Sequence, residues 1–181
     1  MPDLPNWEVE RKEHISDLRK AILAPDFIYE GASVVDTERE FKAEWMGFRL
    51  KGFIDRVDDT ADGLIAIDYK TSSVVPKGAK DAAGSLKVDV QIPLYANIAL
   101  KALYPDGNYG NSLYYSLTKG KVLRTEQEGD MKKVEELGQR ITELLETGSF
   151  PVDPDKDWGA CTYCNFAGVC RKGPRLRRKS S

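Results

Sequence analysis

The chain has 181 residues, a hydrophobic fraction of 41% and a charged fraction of 31%, which is an ordinary composition for one globular domain. No apolar run reaches the ~20 residues that a membrane-spanning helix needs, and the N-terminal residues lack the apolar stretch of a secretory signal. These features predict a cytoplasmic protein that is not embedded in a membrane.

The formal net charge of −2 hides an uneven distribution of charge along the chain. Residues 171–181 contain six basic residues and no acidic one, so the preceding 170 residues carry −8. This basic tail begins with Arg171 and Lys172 and is a candidate for contacts to DNA phosphates. A solvated, disordered terminus explains the same composition at least as well.

The first half of the chain predicts a helix followed by a β-meander. Residues 7–23 place apolar side chains on roughly one helical face, and Pro25 ends that helix. Three segments with strand character follow, joined by short turns: 34–45, 48–59 and 63–71. The last of these begins with a continuous apolar run, which is typical of a central strand that is buried on both faces.

The second half predicts a mobile loop at 72–86, a helix at 88–103, two strands at 112–117 and 121–126, and a helix at 130–147. The order is one helix, three strands, one helix, two strands and one helix. It predicts a single α/β domain over residues 1–181, with a central mixed β-sheet flanked by helices.

Two carboxylates and one ammonium group are expected to converge at a strand end, from GFIDRVD (52–58) and IDYKT (67–71). Lys70 lies two residues beyond Asp68, so both side chains point to the same face, and Asp55 lies on the neighbouring strand. Carboxylate oxygens suit Mg²⁺ or Mn²⁺, which can activate water and neutralise charge on a phosphate. An Asp and a Lys at this spacing often form only an exposed ion pair. The apolar residues before each Asp favour a functional site, because an unpaired buried carboxylate is costly.

Three motifs in this order, GFIDRVD, IDYKTS and QIPLY (91–95), resemble the RecB-like branch of the PD-(D/E)XK nuclease superfamily. The resemblance covers roughly residues 34–170. It implies a restriction-endonuclease-like α/β core and a metal-dependent DNA nuclease.

The resemblance also implies roles for individual residues. Asp55 and Asp68 would hold Mg²⁺ or Mn²⁺ together with the backbone carbonyl of Tyr69, and Lys70 would be the catalytic lysine. Gln91 and Tyr95, which share a helical face by their i,i+4 spacing, would complete the catalytic set near the DNA.

Four further residues are candidates on weaker grounds. Arg56 and Thr71 lie within the motifs and are candidate DNA contacts. Glu38 matches an acidic position upstream of the motif glycine and is a candidate metal ligand, although a solvated strand carboxylate is an equal alternative. His14 is the one histidine of the chain and a candidate ligand, but it lies only about 40 residues before Asp55, and a surface position is the more ordinary explanation.

The three cysteines of the chain, Cys161, Cys164 and Cys170, form a C-x2-C-x5-C cluster that indicates metal ligation rather than a disulfide framework. Zinc and an iron–sulfur cluster both accept four thiolates, and the spacing does not choose between them. Resemblance to AddB-type subunits and CRISPR-associated adaptation exonucleases implies a [4Fe–4S] cluster in this C-terminal segment, 151–170. The fourth ligand is not identified, and we expect that an N-terminal portion is absent.

The predicted function is therefore a Mg²⁺- or Mn²⁺-dependent deoxyribonuclease, acting as an exonuclease on single-stranded DNA or DNA ends in recombination, repair, or phage or CRISPR-type DNA processing. A helicase or another recombination subunit is the expected protein partner. Two alternatives remain open: a DNA-end-binding scaffold with the same fold but impaired catalysis, and a zinc-ribbon interaction module.

Overall fold

The computed structural model describes residues 7–71, 79–80, 87–149 and 165. The chain divides into two compact units between Arg140 and Ile141, and the main β-sheet lies in the first. The interpretation of residues 1–181 as one domain stays a prediction. Within the described ranges, no helix combines the length and apolar character needed to cross a membrane.

Seven strands are described: β1 (Ser33–Trp45), β2 (Phe48–Thr60), β3 (Gly63–Lys70), β4 (Ala79–Lys80), β5 (Lys87–Val88), β6 (Leu113–Ser116) and β7 (Lys121–Thr125). Five of them form one mixed sheet in the order β1-β2-β3-β6-β7. The first three pair antiparallel as the predicted meander, β3 pairs parallel with β6, and β7 pairs antiparallel with β6. A parallel pair needs a crossover connection, and the helical segment before β6 lies within that connection.

The helices are α1 (Trp7–Ile22), α2 (Gln91–Leu94), α3 (Leu100–Leu103) and α4 (Asp130–Thr147), with a 3-10 turn at Pro25–Phe27. A π-helical segment, Tyr95–Ala99, joins α2 to α3, and we call residues 91–103 together the crossover helix. It begins at Gln91, three residues later than predicted. The wide π turn was not predicted from the sequence.

Apolar side chains pack on both faces of the sheet. On one face, strand residues pack with the crossover helix through Phe41, Ile54, Val57, Ala66, Tyr95, Ala99 and Leu100. On the other face, Ala21 of α1 packs with Ile65, Ile67, Leu113 and Tyr115. The central strand β3 is therefore buried on both faces, as predicted. A mixed sheet with helices on both faces confirms the expected restriction-endonuclease-like α/β core.

Helix α1 differs from the expectation in what it buries. Its length agrees with the prediction, and Ala21 is held to the sheet because Tyr115 Oη donates to the Ala21 carbonyl over 2.9 Å. The residues of the expected apolar face are exposed: Trp7, Ile15, Leu18, Ile22 and Leu23. The helical spacing thus predicted the element correctly without predicting its burial.

The predicted loop at 72–86 lies largely outside the described residues. Ala79–Lys80 and Lys87–Val88 pair antiparallel as a separate two-stranded sheet, which the sequence did not predict. Segments this short carry too little hydrophobic alternation for a strand to be recognised.

Candidate active site

Asp68 and Lys70 form a close ion pair at the C-terminal end of β3. Lys70 Nζ lies 2.6 Å from Asp68 Oδ2, and the two side chains are 22% and 5% exposed. Side chains two residues apart along a strand point to the same face, so Asp68 and Lys70 lie on the face of Ala66, which packs against the crossover helix. The expectation that they share a face is therefore confirmed, and that face is the one the crossover helix covers.

The side chain of Gln91 connects this ion pair to the crossover helix. Its Oε1 accepts from Lys70 Nζ over 3.0 Å, and its Nε2 donates to Asp68 Oδ1 over 2.5 Å. The same Nε2 lies 3.0 Å from the hydroxyl of Tyr95, which in turn donates to the carbonyl of Phe53 over 2.8 Å. The structure thus brings together the Gln, Tyr, Asp and Lys that the sequence motifs singled out.

Asp55 reaches the same strand end from β2. The last recorded pair of the β2–β3 ladder is Arg56 with Ile67, so Asp55 and Asp68 are the next residues along the two strands. Asp55 Oδ2 accepts from the backbone N–H of Tyr69 over 2.7 Å. Asp55 is half-buried, and its carboxylate lies beside the segment that carries Asp68 and Lys70.

The motif glycine three residues before Asp55 has a packing role. A Cβ on Gly52 would lie 2.8 Å from the ring of Phe41, which is too close for any other side chain without movement of that ring. Phe41 belongs to the core beneath the site and packs edge-on against the Tyr95 ring at 5.7 Å. Gly52 therefore allows the core to close under β2.

The electrostatics of the site disfavour an ionised Asp68. Burial raises the pKa of its carboxyl above the ordinary value, and Lys70 opposes this effect. The negative charges of Asp55 and Asp89 raise the pKa of Asp68 further. Burial likewise raises the pKa of Tyr95, so its hydroxyl stays protonated and can donate at neutral pH.

This donor set fits a hard divalent cation. Among the described residues, no three His, Cys, Asp or Glu side chains are grouped closely enough to form a protein-only metal site. Mg²⁺ needs no such cage, because it commonly keeps several waters and binds through one or two carboxylates. The charge of Asp55 disfavours ionisation of the neighbouring Asp68, and a cation bound between the two carboxylates would offset that effect.

The structure does not gather His14 or Glu38 with this carboxylate pair. His14 is exposed on α1, a helix whose buried residue Ala21 packs on the other face of the sheet. Glu38 lies between Thr37 and Arg39, which pair with Arg56 and Ile54 on β2, but its side chain is exposed and its backbone has a φ of +49°. The proposed roles of both residues as metal ligands stay predictions.

Arg56 is held within the fold by several contacts, and its predicted contact to DNA stays a prediction. It is only 4% exposed, and its Nη2 lies 2.8 Å from Asp58 Oδ2. The guanidinium also donates to the Tyr69 hydroxyl and to the Phe27 carbonyl, and it lies over the Phe27 ring at 4.7 Å. The second half of the GFIDRVD motif thus forms a buried ion pair on the face away from Lys70.

The other predicted contacts are less constrained by the structure. Thr71 is exposed just beyond β3, and its carbonyl accepts from the Thr118 hydroxyl. Arg171 and Lys172 lie outside the described residues, as does the cysteine triplet: Cys161, Cys164 and Cys170. Their predicted DNA and cluster contacts stay predictions.

Sequence reasoning missed a second layer of polar residues behind Gln91. Asp89 Oδ1 accepts from the Tyr114 hydroxyl over 2.8 Å, and Arg124 Nη1 lies 3.0 Å from Asp89 Oδ2. Burial and the bond to Asp89 raise the pKa of Tyr114, which makes its hydroxyl a firm donor. In the sequence, Tyr114 is one apolar residue of a strand, and nothing local links it to Asp89.

A search of curated proteins finds no significant match. A family model described as the PD-(D/E)XK nuclease superfamily matches residues 2–171. This match spans most of the chain, so the chain belongs to the PD-(D/E)XK nuclease superfamily.

Proposed function

We propose that this chain is a divalent-metal-dependent deoxyribonuclease that acts as an exonuclease on single-stranded DNA or DNA ends. The observation that carries the proposal is the position of Lys70, whose ammonium group is held by Asp68 at 2.6 Å and by Gln91 at 3.0 Å next to the carboxylate of Asp55. Membership of the nuclease superfamily supports the reaction class. The preference for ends and single strands rests on the motif resemblance to RecB-like nucleases.

Asp55 and Asp68 are the residues that would hold Mg²⁺ or Mn²⁺, with the Tyr69 carbonyl as a third donor. When bound, such an ion supplies positive charge that offsets the charge developing on the phosphate and favours ionisation of water. The N–H and C=O groups of one strand residue point to the same side. Since the Tyr69 N–H points at Asp55, the geometry supports its carbonyl as the third donor.

The chain's own residues supply orientation and charge for the hydrolysis. The oxygen of water adds to phosphorus, a P–O bond breaks, and the leaving oxygen takes up a proton. In this proposal Lys70 holds the attacking water or donates to a phosphate oxygen whose negative charge grows in the transition state. Gln91 accepts from the lysine and donates to the adjacent carboxylate, so it fixes both groups. Tyr95 anchors Gln91 to β2.

The proposal is tested by following Mn²⁺-dependent degradation of end-labelled single-stranded DNA by the native chain and by Lys70→Ala. We expect Lys70→Ala to lose about 100-fold or more in kcat, the size of effect seen when one charge-stabilising donor is removed. Lys51→Ala is the matched control, because Lys51 is an exposed lysine paired with Glu40 on the β1–β2 hairpin. Equal rates for the native chain and Lys70→Ala would contradict the assigned role of Lys70.

A second arm of the experiment tests the substrate and the metal. Circular single-stranded DNA should not be cleaved, because an exonuclease needs a free end. Cleavage of the circle would contradict the exonuclease mode. Mn²⁺ should raise the Tm of the native chain, because a ligand bound to the folded state stabilises it. A native chain that binds DNA ends but cuts nothing in Mn²⁺ would support the scaffold alternative instead.

A further inference from the structure

Asp89 lies two residues before the first residue of the crossover helix, Gln91, and is nearly enclosed, with 7% of its side chain exposed. Three groups from the described part of the chain bind its carboxylate. The Tyr114 hydroxyl donates to Oδ1 over 2.8 Å, the backbone N–H of Gln91 donates to the same oxygen over 3.2 Å, and Arg124 Nη1 donates to Oδ2 over 3.0 Å. A buried carboxylate is costly unless its oxygens are satisfied, and here both oxygens have partners.

Arg124 compensates the charge of Asp89 and ties it to the first turn of α4. Its Nη2 lies 2.5 Å from Asp130 Oδ2, and Asp130 also accepts from the backbone N–H of Gln127. Asp130 in turn lies 3.3 Å from Lys133 Nζ. This chain of ion pairs joins β7 and α4 to Asp89, two residues before Gln91.

One of the groups that bind Asp89, the Tyr114 hydroxyl, also lies beside the Gln91 side chain. The Tyr114 hydroxyl lies 3.5 Å from Gln91 Oε1, and the Tyr114 ring lies beneath Lys70 Nζ at 4.9 Å from its centroid. The Gln91 amide must keep its oxygen toward Lys70 and its nitrogen toward Asp68 to make both of its contacts. Rotation of that amide by half a turn would lose both hydrogen bonds.

We propose that Asp89 is a positioning residue for the hydrolysis, which fixes the Gln91 amide between Asp68 and Lys70 by holding the Gln91 backbone and the Tyr114 hydroxyl. This inference rests on the proposed function. It extends the site beyond the sequence motifs to Asp89, Tyr114 and Arg124.

The test compares Asp89→Ala with Asp36→Ala. Asp36 is a matched control, because its carboxylate also accepts from a tyrosine hydroxyl, that of Tyr104, and also lies near an arginine, Arg39, at 3.8 Å. We expect Asp89→Ala to lower kcat on single-stranded DNA by about 10- to 100-fold, the range typical of outer-shell partners, with KM changed by less than about twofold. Asp89→Asn keeps an acceptor oxygen for Gln91 and Tyr114 and should recover part of the loss.

The Gln91 side-chain amide can also be followed by ¹⁵N NMR, which does not depend on activity. The signals of this amide are identified as those that disappear in Gln91→Ala. In the native chain the two amide protons should be distinct and slow to exchange, and Asp89→Ala should shift them and speed their exchange. If Asp89→Ala does not fold, Tyr114→Phe replaces it in this experiment, because it removes only the hydroxyl. Tyr114→Phe should shift the same Gln91 amide signals.

The outcomes separate the two proposals. Unchanged Gln91 amide signals in the variants, or a kcat loss no larger than that of Asp36→Ala, would overturn the positioning role while leaving the nuclease proposal intact. A native chain without nuclease activity would overturn the proposed function, and the NMR signals would still decide whether Asp89 positions Gln91.

Discussion

The backbone N–H of Tyr69 donates to Asp55 Oδ2 over 2.7 Å, so the carboxylate on β2 is fixed by the strand that carries Asp68 and Lys70. Asp55 consequently has two separable tasks. One carboxylate oxygen satisfies a backbone group of β3, and the charge of the carboxylate is available to a cation. Substitutions that remove one task and retain the other can distinguish them.

Asp55→Asn and Asp55→Ala should separate these tasks. Asn keeps an acceptor oxygen for the Tyr69 N–H, so we expect its free energy of unfolding to lie within about 1 kcal/mol of the native value. Ala leaves that N–H without its partner and should cost about 1–3 kcal/mol. Both variants should bind Mn²⁺ at least about tenfold more weakly. Urea unfolding and calorimetric titration measure the two effects, and native Mn²⁺ affinity in Asp55→Asn would argue against a ligand role.

The part of the site that local periodicity determines could be predicted from the sequence. Alternation along a strand places Asp68 and Lys70 on one face, and the i,i+4 spacing of Gln91 and Tyr95 places them on one side of a helix. These relationships depend only on residues a few positions apart. They hold in the structure even though the helix that carries Gln91 widens into a π turn immediately afterwards.

The orientation of Arg56 and the layer behind Gln91 depend on longer-range geometry. Ile54 and Val57 both belong to the core cluster under the crossover helix, so regular alternation breaks between them and Arg56 turns to the other face. The Asp89–Arg124 pair joins residues 35 positions apart. Neither an irregular strand nor a distant ion pair leaves a periodic signal in one sequence.

The burial of Arg56 predicts a large effect on stability. Arg56→Met leaves the Asp58 carboxylate buried without its cation, and we expect a loss of about 3–5 kcal/mol in the free energy of unfolding. The double variant Arg56→Met with Asp58→Leu removes both charges and should recover much of that loss. Recovery is favoured because Arg56 Nε and Asp58 Oδ1 are already buried without a hydrogen-bond partner in the described part of the chain.

Urea unfolding of the single and double variants measures this effect, and DNA affinity provides the comparison. If Arg56 served DNA rather than the fold, Arg56→Met would retain native stability and bind DNA more weakly, and the double variant would be no more stable than the single one. Arg49→Met is a suitable control, because Arg49 is an exposed arginine near the start of β2.

The cysteine triplet makes a spectroscopic prediction. If Cys161, Cys164 and Cys170 contribute to a [4Fe–4S] cluster, anaerobic purification should give a brown protein with broad absorbance near ~400 nm. Cys164→Ser should reduce that absorbance and the bound iron. Stoichiometric zinc in a colourless protein would instead indicate a zinc site.

The raised pKa of Asp68 predicts a contribution to the pH dependence of stability when no divalent cation is bound. Because burial favours the neutral carboxyl, this group contributes stability that is present below its ordinary pKa of 3.8 and is lost as the pH rises through its higher pKa in the folded state. Asp68→Asn cannot ionise and should lack this loss. Urea unfolding in EDTA across the acidic to neutral range measures the difference between the two pH profiles.

Glu40 supplies a control of opposite sign. Its bond to Lys51 lowers the pKa of Glu40, so its contribution is present above the ordinary value of 4.5 and is lost as the pH falls through the lowered pKa. Glu40→Gln should therefore alter stability at acidic pH and leave unchanged the loss of stability as the pH rises toward neutrality.

A bound cation should reverse the effect of Asp68 on stability. Because a cation held by Asp55 and Asp68 favours the ionised carboxylate, saturating Mn²⁺ should offset the loss of stability of the native chain at neutral pH and leave the stability of Asp68→Asn little affected. If the native chain and Asp68→Asn have the same dependence of stability on pH in EDTA, Asp68 ionises without a cost in stability. A cation would then have no destabilised carboxylate to stabilise at this site.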